Sequence, residues 1–391
     1  MNYFVNKENI SYFLLVIIVF LSLISFEKII YSNIYSLILI CILLVALVLL
    51  VTHFVIDRER FDQLLYQVIN QNNIVILLIY FLFFSSFLSS LSNGLISLGG
   101  LLRLFSTSLS LFVFFLIIPK LTHTVIGKVD RFIIYLISLF SIVGIMTKVN
   151  GSFFIYDTYY GRVNSIYFDP NYFGAIAGVA VILSAEKKGF LFKVLCILNF
   201  TALFLSNSRT AFLALCLTMI LTFFYRRRVK IGTILFTVFF VMILGISVYF
   251  LNEADFFRIE QGLNSRGDLW EIAISLINNQ PLWGYGQESI PYLLAEHGVE
   301  NSSTHNAYFD YMLSYGIPCM VLYIFIMLIA FYRGIKNKVN RSMFQVPLFL
   351  LICSAAINIS IGGLGATSLL FTLYLGMCNS MPNRDKGLKE G

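Results

Sequence analysis

The sequence predicts an all-α fold, a polytopic transmembrane bundle of about twelve spans with one long outside loop that contains an amphipathic helix. Three observations predict it. Of 391 residues, 59% are hydrophobic and only 12% are charged, about half the ~25% charged share of a soluble domain. Apolar blocks of roughly 15–25 residues recur along the chain, and about 20 residues cross a bilayer as a helix. Lysine and arginine gather in every second connection between the blocks, as cytoplasmic loops require. An ordinary cytosolic enzyme, a secreted disulfide scaffold and a disordered chain are excluded. An outer-membrane barrel would show alternating segments of about ten residues instead. The whole of 1–391 reads as a single polytopic domain.

The apolar blocks fall at 10–26, 33–56, 74–92, 97–118, 132–149, 172–185, 190–206, 210–225, 231–251, 307–332, 346–361 and 366–380. The first follows MNYFVNKEN and runs into Glu27-Lys28 without a small-residue cleavage site, so it reads as a retained signal anchor. With the N-terminus inside, the inside connections carry Lys7, Arg58/Arg60, Lys120/Lys128/Arg131, Lys187/Lys188, Arg226–Arg228 with Lys230, Arg333/Lys336/Lys338/Arg341 and Arg384/Lys386/Lys389. The outside receives only Lys28, Arg103, Lys148, Arg162, Arg209, Arg258 and Arg266. Both termini are then cytoplasmic. The formal net charge of +7 is loop charge on a lipid bilayer protein, with no nucleic-acid partner implied. Six cysteines, each within an apolar block and none in a CxxC pair, read as small buried hydrophobes.

Two outside segments are long, about 150–171 and 252–306, and long loops of compact proteins are usually functional. In the second, Ser265-Arg266-Gly267-Asp268 matches a capping box with Ser265 as N-cap. Leu269, Trp270, Ile272, Ala273, Leu276 and Ile277 behind it make an amphipathic helix. Pro281 ends it, and Trp283-Gly284-Tyr285-Gly286 makes a tight turn. The helix either lies on the outer membrane face or roofs the bundle.

From residue 150 onward the outside has four arginines, Arg162, Arg209, Arg258 and Arg266, and no lysine. Arginine presents a planar fork that binds phosphate in bidentate fashion and keeps its proton. The alternative is pairing with the loop acids Asp255, Glu260 and Asp268, but Arg209 has no acid nearby in sequence. It lies in the short turn Ser206-Asn207-Ser208-Arg209-Thr210, beside the start of the eighth span, where a helix N-terminus and a guanidinium together make an anion site. His305 opens the tenth span, and an imidazole there can serve as general base near neutral pH. Asn306 beside it can hydrogen-bond sugar hydroxyls. Alternatively Ser303 or Thr304 caps the span and His305 is a first-turn surface residue. Asp169-Pro170-Asn171 precedes the sixth span, with Asn171 suited to the N-cap; a structural turn and a substrate contact are both open. Asp310, one turn into the tenth span, and Asn358 are polar groups in apolar blocks, a costly and often functional placement.

Other chemistries lack their motifs. No GxxxxGK[ST] loop is present for ATP, and neither HExxH nor a cysteine–histidine ligand set for metal. No Asp-x-Asp pair would hold a divalent ion for a nucleotide sugar. Neither cofactor nor metal is therefore expected. The spans are not dense in acids or lysines, as ion-coupled transport often requires, and no matched pair of Gly/Pro-broken spans suggests inverted repeats.

Four runs, GRVNSIYFDPNYFG at 161–174, NSRTAFLAL at 207–215, SRGDLWEIAISLINNQPLWGYG at 265–286 and HNAYFDYMLSYGIP at 305–318, together resemble the bacterial O-antigen ligase and O-antigen/capsule polymerase superfamily over roughly 160–335. The resemblance implies ten to twelve helices in the bacterial cytoplasmic (inner) membrane and an active site outside. It implies transfer of glycan from undecaprenyl-pyrophosphate-linked oligosaccharide, with a flippase and chain-length regulator proteins as partners. Arg209 and Arg266 take the positions that hold the pyrophosphate, and His305 the position proposed to activate the acceptor hydroxyl. Arg162, Asp169, Asn171, Arg258, Asn306 and Tyr308 are expected around the substrate. Cys319 departs from the more usual glycine after Gly316-Ile317-Pro318, and residues before 150 carry no motif.

The reading is a metal-independent glycosyltransferase. A polymerase joining lipid-linked repeat units is favoured because polymerases are many and divergent. The alternatives are a ligase that transfers the glycan to lipopolysaccharide core, a flippase for the same lipid-linked glycans, and a non-catalytic scaffold.

Overall fold

The computed structural model describes residues 7–25, 27–28, 32–56, 58–92, 98–153, 156–227, 264–286 and 289–380. The expected ninth span, 231–251, and Arg258 lie outside the described residues. Helices α1 (Lys7–Ile24), α2 (Ser32–Ile56) and α3 (Arg58–Ser92) come first, then α4 (Leu98–Ser110), which runs through a π segment (Leu111–Ile117) into the short α5 (Ile118–Leu121). Next are α6 (Ile126–Asn150), a hairpin of β1 (Ser152–Phe153) and β2 (Tyr156–Asp157), α7 (Pro170–Glu186), α8 (Phe190–Leu205) and α9 (Arg209–Arg227). After the undescribed stretch come α10 (Asn264–Asn279), α11 (Ile290–Glu296), α12 (Ala307–Lys336), α13 (Arg341–Cys353) and α14 (Ala366–Ser380).

Among the described residues, five helices are long and apolar enough to cross a membrane: Ile34–Ile56, Phe61–Ser92, Leu104–Leu121, Ile126–Asn150 and Ala307–Lys336. Shorter apolar helices occupy Glu8–Ile24, Phe190–Leu205, Arg209–Phe223 and Arg341–Cys353. Large apolar side chains such as Phe13, Leu47, Leu77, Leu139, Ile197 and Leu328 stand exposed, as lipid-facing residues do. Two helices are apolar and enclosed on nearly all sides, α7 and α14, the pattern of a bundle centre. Close approach fixes α7. A Cβ on Gly174 would stand 2.6 Å from Ser208 Cβ, and one on Gly178 would stand 2.4 Å from the Phe349 ring.

Helix boundaries differ from the sequence expectation where polar groups intervene. The connection before 74 is itself helical: α3 starts at Arg58 and kinks at Asn72 (φ −121°, ψ 17°). There the Asn72 amide donates to Val68 O at 2.9 Å, and its oxygen accepts from Arg333 and from Asn379. The block 346–361 is helical only to Cys353, and 354–365 is unwound. Its backbone is satisfied by side chains instead: Ile361 N donates to the Tyr323 hydroxyl at 2.9 Å and Gly362 N to Thr372 Oγ1 at 2.8 Å. Segments of this kind survive at membrane depth only inside protein.

Helix α12 breaks at Gly316 (φ 82°, ψ 170°), and the Trp283–Gly286 turn fills the break. Tyr285 N donates to Leu313 O at 2.7 Å, Gly286 N to Ser314 O at 3.0 Å, and Ile317 N to Pro281 O at 2.8 Å. Ser89 of α3 donates to Ser314 O at 3.0 Å and to Trp283 O. Loop and broken helix thus satisfy each other's backbone.

Candidate active site

One end of α7, one end of α12 and the segment between β2 and α7 meet at the same end of the bundle. The segment is sewn to the end of α1: Lys28 N donates to Ile166 O at 2.8 Å, Lys28 Nζ pairs with Asp157 at 3.1 Å, and the Tyr156 hydroxyl donates to Glu27. Tyr159 and Arg162 exchange two backbone bonds of 3.0 Å. This pairing aims the Arg162 guanidinium across the bundle end, where Nε donates to Ser206 O at 3.0 Å and Nη2 to Asn171 Oδ1 at 3.0 Å and Asn207 O at 3.2 Å. A single arginine therefore ties the start of α7 to the turn that launches α9. That turn is tight because Asn207 takes a left-handed conformation (φ 54°), which asparagine tolerates better than most residues. Arg209 is the first residue of α9, half-buried.

The start of α7 is capped by Asp169 and not by Asn171. Asp169 Oδ1 accepts from Asn171 N at 2.7 Å, Pro170 fills the first helical position, and the Asn171 side chain is left to accept from Arg162. The start of α12 is likewise capped by Asn306, whose Oδ1 accepts from Tyr308 N at 2.9 Å and Phe309 N at 3.3 Å, and neither Ser303 nor Thr304 is its cap. His305 therefore stands in a left-handed turn (φ 55°) before the helix. Asp310 holds that turn: its Oδ1 accepts from Thr304 N at 2.8 Å and Thr304 Oγ1 at 2.7 Å. Asp310 is buried, at 7% exposure. The Tyr308 hydroxyl donates to Leu351 O at 3.0 Å and lies 2.8 Å from Ser354 Oγ, so it also closes the end of α13.

Helix α10 begins at Asn264, one residue before the expected cap Ser265. Leu269, Ala273, Leu276 and Ile277 form a small core with Ile290, Leu294 and Leu313, so the helix roofs the first half of α12. Trp270 joins it to the histidine turn, with Nε1 donating to Thr304 O at 3.0 Å and the ring set edge-on to Phe309 at 5.8 Å. This packing carries Arg266 to the bundle end. Burial pushes the Arg266 guanidinium down and the Asp169 carboxylate opposes that. Burial also pushes His305 below the usual imidazole value, Arg266 adds to the depression, and Asp169 pulls it back. Arg266, Asp169 and His305, from three separate stretches of sequence, thus lie within electrostatic reach of one another. Tyr172 lies within reach of both Asp169 and Asp310.

The result is a depressed, half-buried imidazole beside a guanidinium, with Arg162 and the start of α9 one link further along. Such a group is neutral near pH 7 and can take a proton; the guanidinium can hold an anionic leaving group. Among the described residues no group of three or more His, Cys, Asp or Glu could hold a metal ion. Sequence reasoning missed Thr304, Trp270 and the carbonyls of Ser206 and Asn207 as parts of the site. Only the NSR turn carried a local signal, its asparagine.

A family model described as O-antigen ligase matches residues 194–324. The match supports the O-antigen ligase and polymerase superfamily. It spans about a third of the chain and contains Arg209, Arg266, His305 and the Gly316 break, while Arg162 and Asp169 reach the site from outside it. It supports a function of the ligase and polymerase type in polysaccharide biosynthesis. Searches of curated proteins and of solved structures gave no significant match.

Proposed function

We propose that the chain polymerises undecaprenyl-pyrophosphate-linked oligosaccharide repeat units of an O-antigen or capsular polysaccharide on the outer side of the cytoplasmic membrane. The observation that carries this reading is the electrostatic triangle of Arg266, Asp169 and His305. His305 accepts the proton of the acceptor hydroxyl as its oxygen attacks the anomeric carbon of the donor glycan. The bond from that carbon to the pyrophosphate oxygen breaks, and the electron pair leaves with the lipid pyrophosphate. Arg266 and Arg209 balance the charge that develops on it. Asp169 supports the imidazolium that results. The energy resides in the pyrophosphate linkage, so no nucleotide is consumed.

The family model's description favours a second reading, ligation to lipopolysaccharide core. Deletion of the gene separates the two: loss of a polymerase leaves single repeat units on core, whereas loss of a ligase leaves none and lipid-linked polymer accumulates. For either reading, the full-length protein in detergent should extend or transfer a lipid-pyrophosphate oligosaccharide without nucleotide. His305→Ala should lower the rate by about 100-fold or more at normal protein level. Near-normal product from that variant would remove His305 as the base.

A further inference from the structure

Asp310 has two carboxylate oxygens in different circumstances. Oδ1 is saturated by Thr304 N and Thr304 Oγ1. Oδ2 is fully buried and accepts no hydrogen bond. A buried carboxylate oxygen without a donor is costly, so its retention asks for a donor supplied from elsewhere. Asp310 as a whole is buried, at 7% exposure. It shares Tyr172 as a neighbour with Asp169, which itself acts on His305. No described lysine or arginine bonds to it. A further anion beside a pyrophosphate would be repelled there, whereas a sugar hydroxyl is a neutral donor that a carboxylate binds strongly.

We propose that Asp310 Oδ2 is a subsite for a hydroxyl of the acceptor glycan. This rests on the transfer reaction proposed above. The same carboxylate fixes the His305 turn through Oδ1, so the acceptor and its base are set at a defined separation by one rigid group. Asp310 accepts a hydrogen bond and takes no proton in the step.

The test uses the full-length protein in detergent with a lipid-pyrophosphate oligosaccharide as donor. The acceptor is the same glycan on a lipid monophosphate, which accepts but does not donate. Asp310→Asn keeps an oxygen for Thr304 and replaces the Oδ2 acceptor by an amide donor. The acceptor KM should rise about tenfold or more, the expectation for a lost hydrogen bond to a charged group, with the donor KM and the acidic limb of the pH profile unchanged. Asp310→Glu, which displaces both carboxylate oxygens by one methylene, should raise the acceptor KM likewise and also lower kcat through the Thr304 bonds, with the donor KM unchanged, and serves if the asparagine variant is not recovered. Thr304→Val should lower kcat through the histidine turn without raising the acceptor KM. Acceptor binding is also followed directly by the fluorescence of Trp270 in a Trp283→Phe background. If the wild type transfers glycan but Asp310→Asn binds acceptor normally, or loses donor and acceptor affinity equally, the subsite is refuted and the transfer reading stands. If the wild type transfers nothing but binds the glycan in an Asp310-dependent way, the transfer reading fails and the subsite stands. A divalent-cation requirement abolished by Asp310→Asn would make Oδ2 a metal ligand and overturn the proposal.

Discussion

His305 shows how a single backbone torsion decides what a side chain can do. Its φ of 55° turns it out of the α12 register, and two bonds from Thr304 to Asp310 hold it there. Backbone strain of this kind costs about 1–3 kcal/mol and persists where the surroundings enforce it. The neighbours set its titration. Its folded value lies below the ordinary 6.5, chiefly through burial, then through Arg266, with Asp169 opposing. The neutral, proton-accepting form is therefore present at pH 6.5 and above, and activity falls as the pH drops through the depressed value. Arg266→Gln removes one depressing influence, so residual activity should show its acidic limb at higher pH. Asp169→Asn removes the opposing influence, so that limb should move to lower pH. Rate profiles of the two variants that shift in the same direction would break the assignment of the limb to His305. The residue type pointed to His305 from sequence; its partners did not, because Asp169 is 136 positions away and meets it only through tertiary packing.

Helix starts reveal why caps are harder to read than spans. Asn171 and Ser303 or Thr304 were reasonable caps by composition, yet Asp169 and Asn306 hold those places. Several polar residues in a row each satisfy the preference, and the fold selects the one whose neighbour is needed elsewhere, as Asn171 is needed by Arg162. The break in α12 is a second case. A Gly-Ile-Pro run inside an apolar block announces a bend, but not that the Trp283–Gly286 turn would occupy it. Gly316→Ala tests that docking. The positive φ alone costs a side chain about 1–3 kcal/mol, and a Cβ would stand 2.2 Å from Leu282 O. Thermal unfolding in detergent should show a clear loss of stability, and an unchanged transition would mean that loop and helix part freely. The loop carries Arg266, so transfer should fall with the stability.

Polar groups are sorted between the two ends of the bundle. At one end lie Arg162, the Asn207 turn, Asp169 and His305. At the other, Lys187 pairs with buried Asp130 at 2.8 Å, Arg341 with Glu186 at 3.3 Å, and Arg333 with Asn379 at 2.8 Å. The second end carries these lysine and arginine partners, as the charge rule expects of a cytoplasmic end, and the side of the membrane on which each end lies is open to direct test. In a variant lacking the six native cysteines, a cysteine replacing the exposed Tyr160 should react with an impermeant maleimide on intact cells or spheroplasts. One replacing the exposed Lys188 should react only after permeabilisation. The reverse pattern would put the site inside and remove any extracytoplasmic glycan from consideration.

Apolar runs predicted the all-α class, the long apolar helices and the amphipathic Leu269–Ile277 face, because these depend on lengths and periods that a chain carries locally. Residue chemistry and the four motif runs singled out arginines and a histidine. Packing settled what lies near what: Asp169 within electrostatic reach of His305, Arg162 across to the α9 turn, Thr304 clasped by Asp310. Electrostatic reach and hydrogen-bond geometry are properties of distances between remote segments, and only the folded bundle sets those distances.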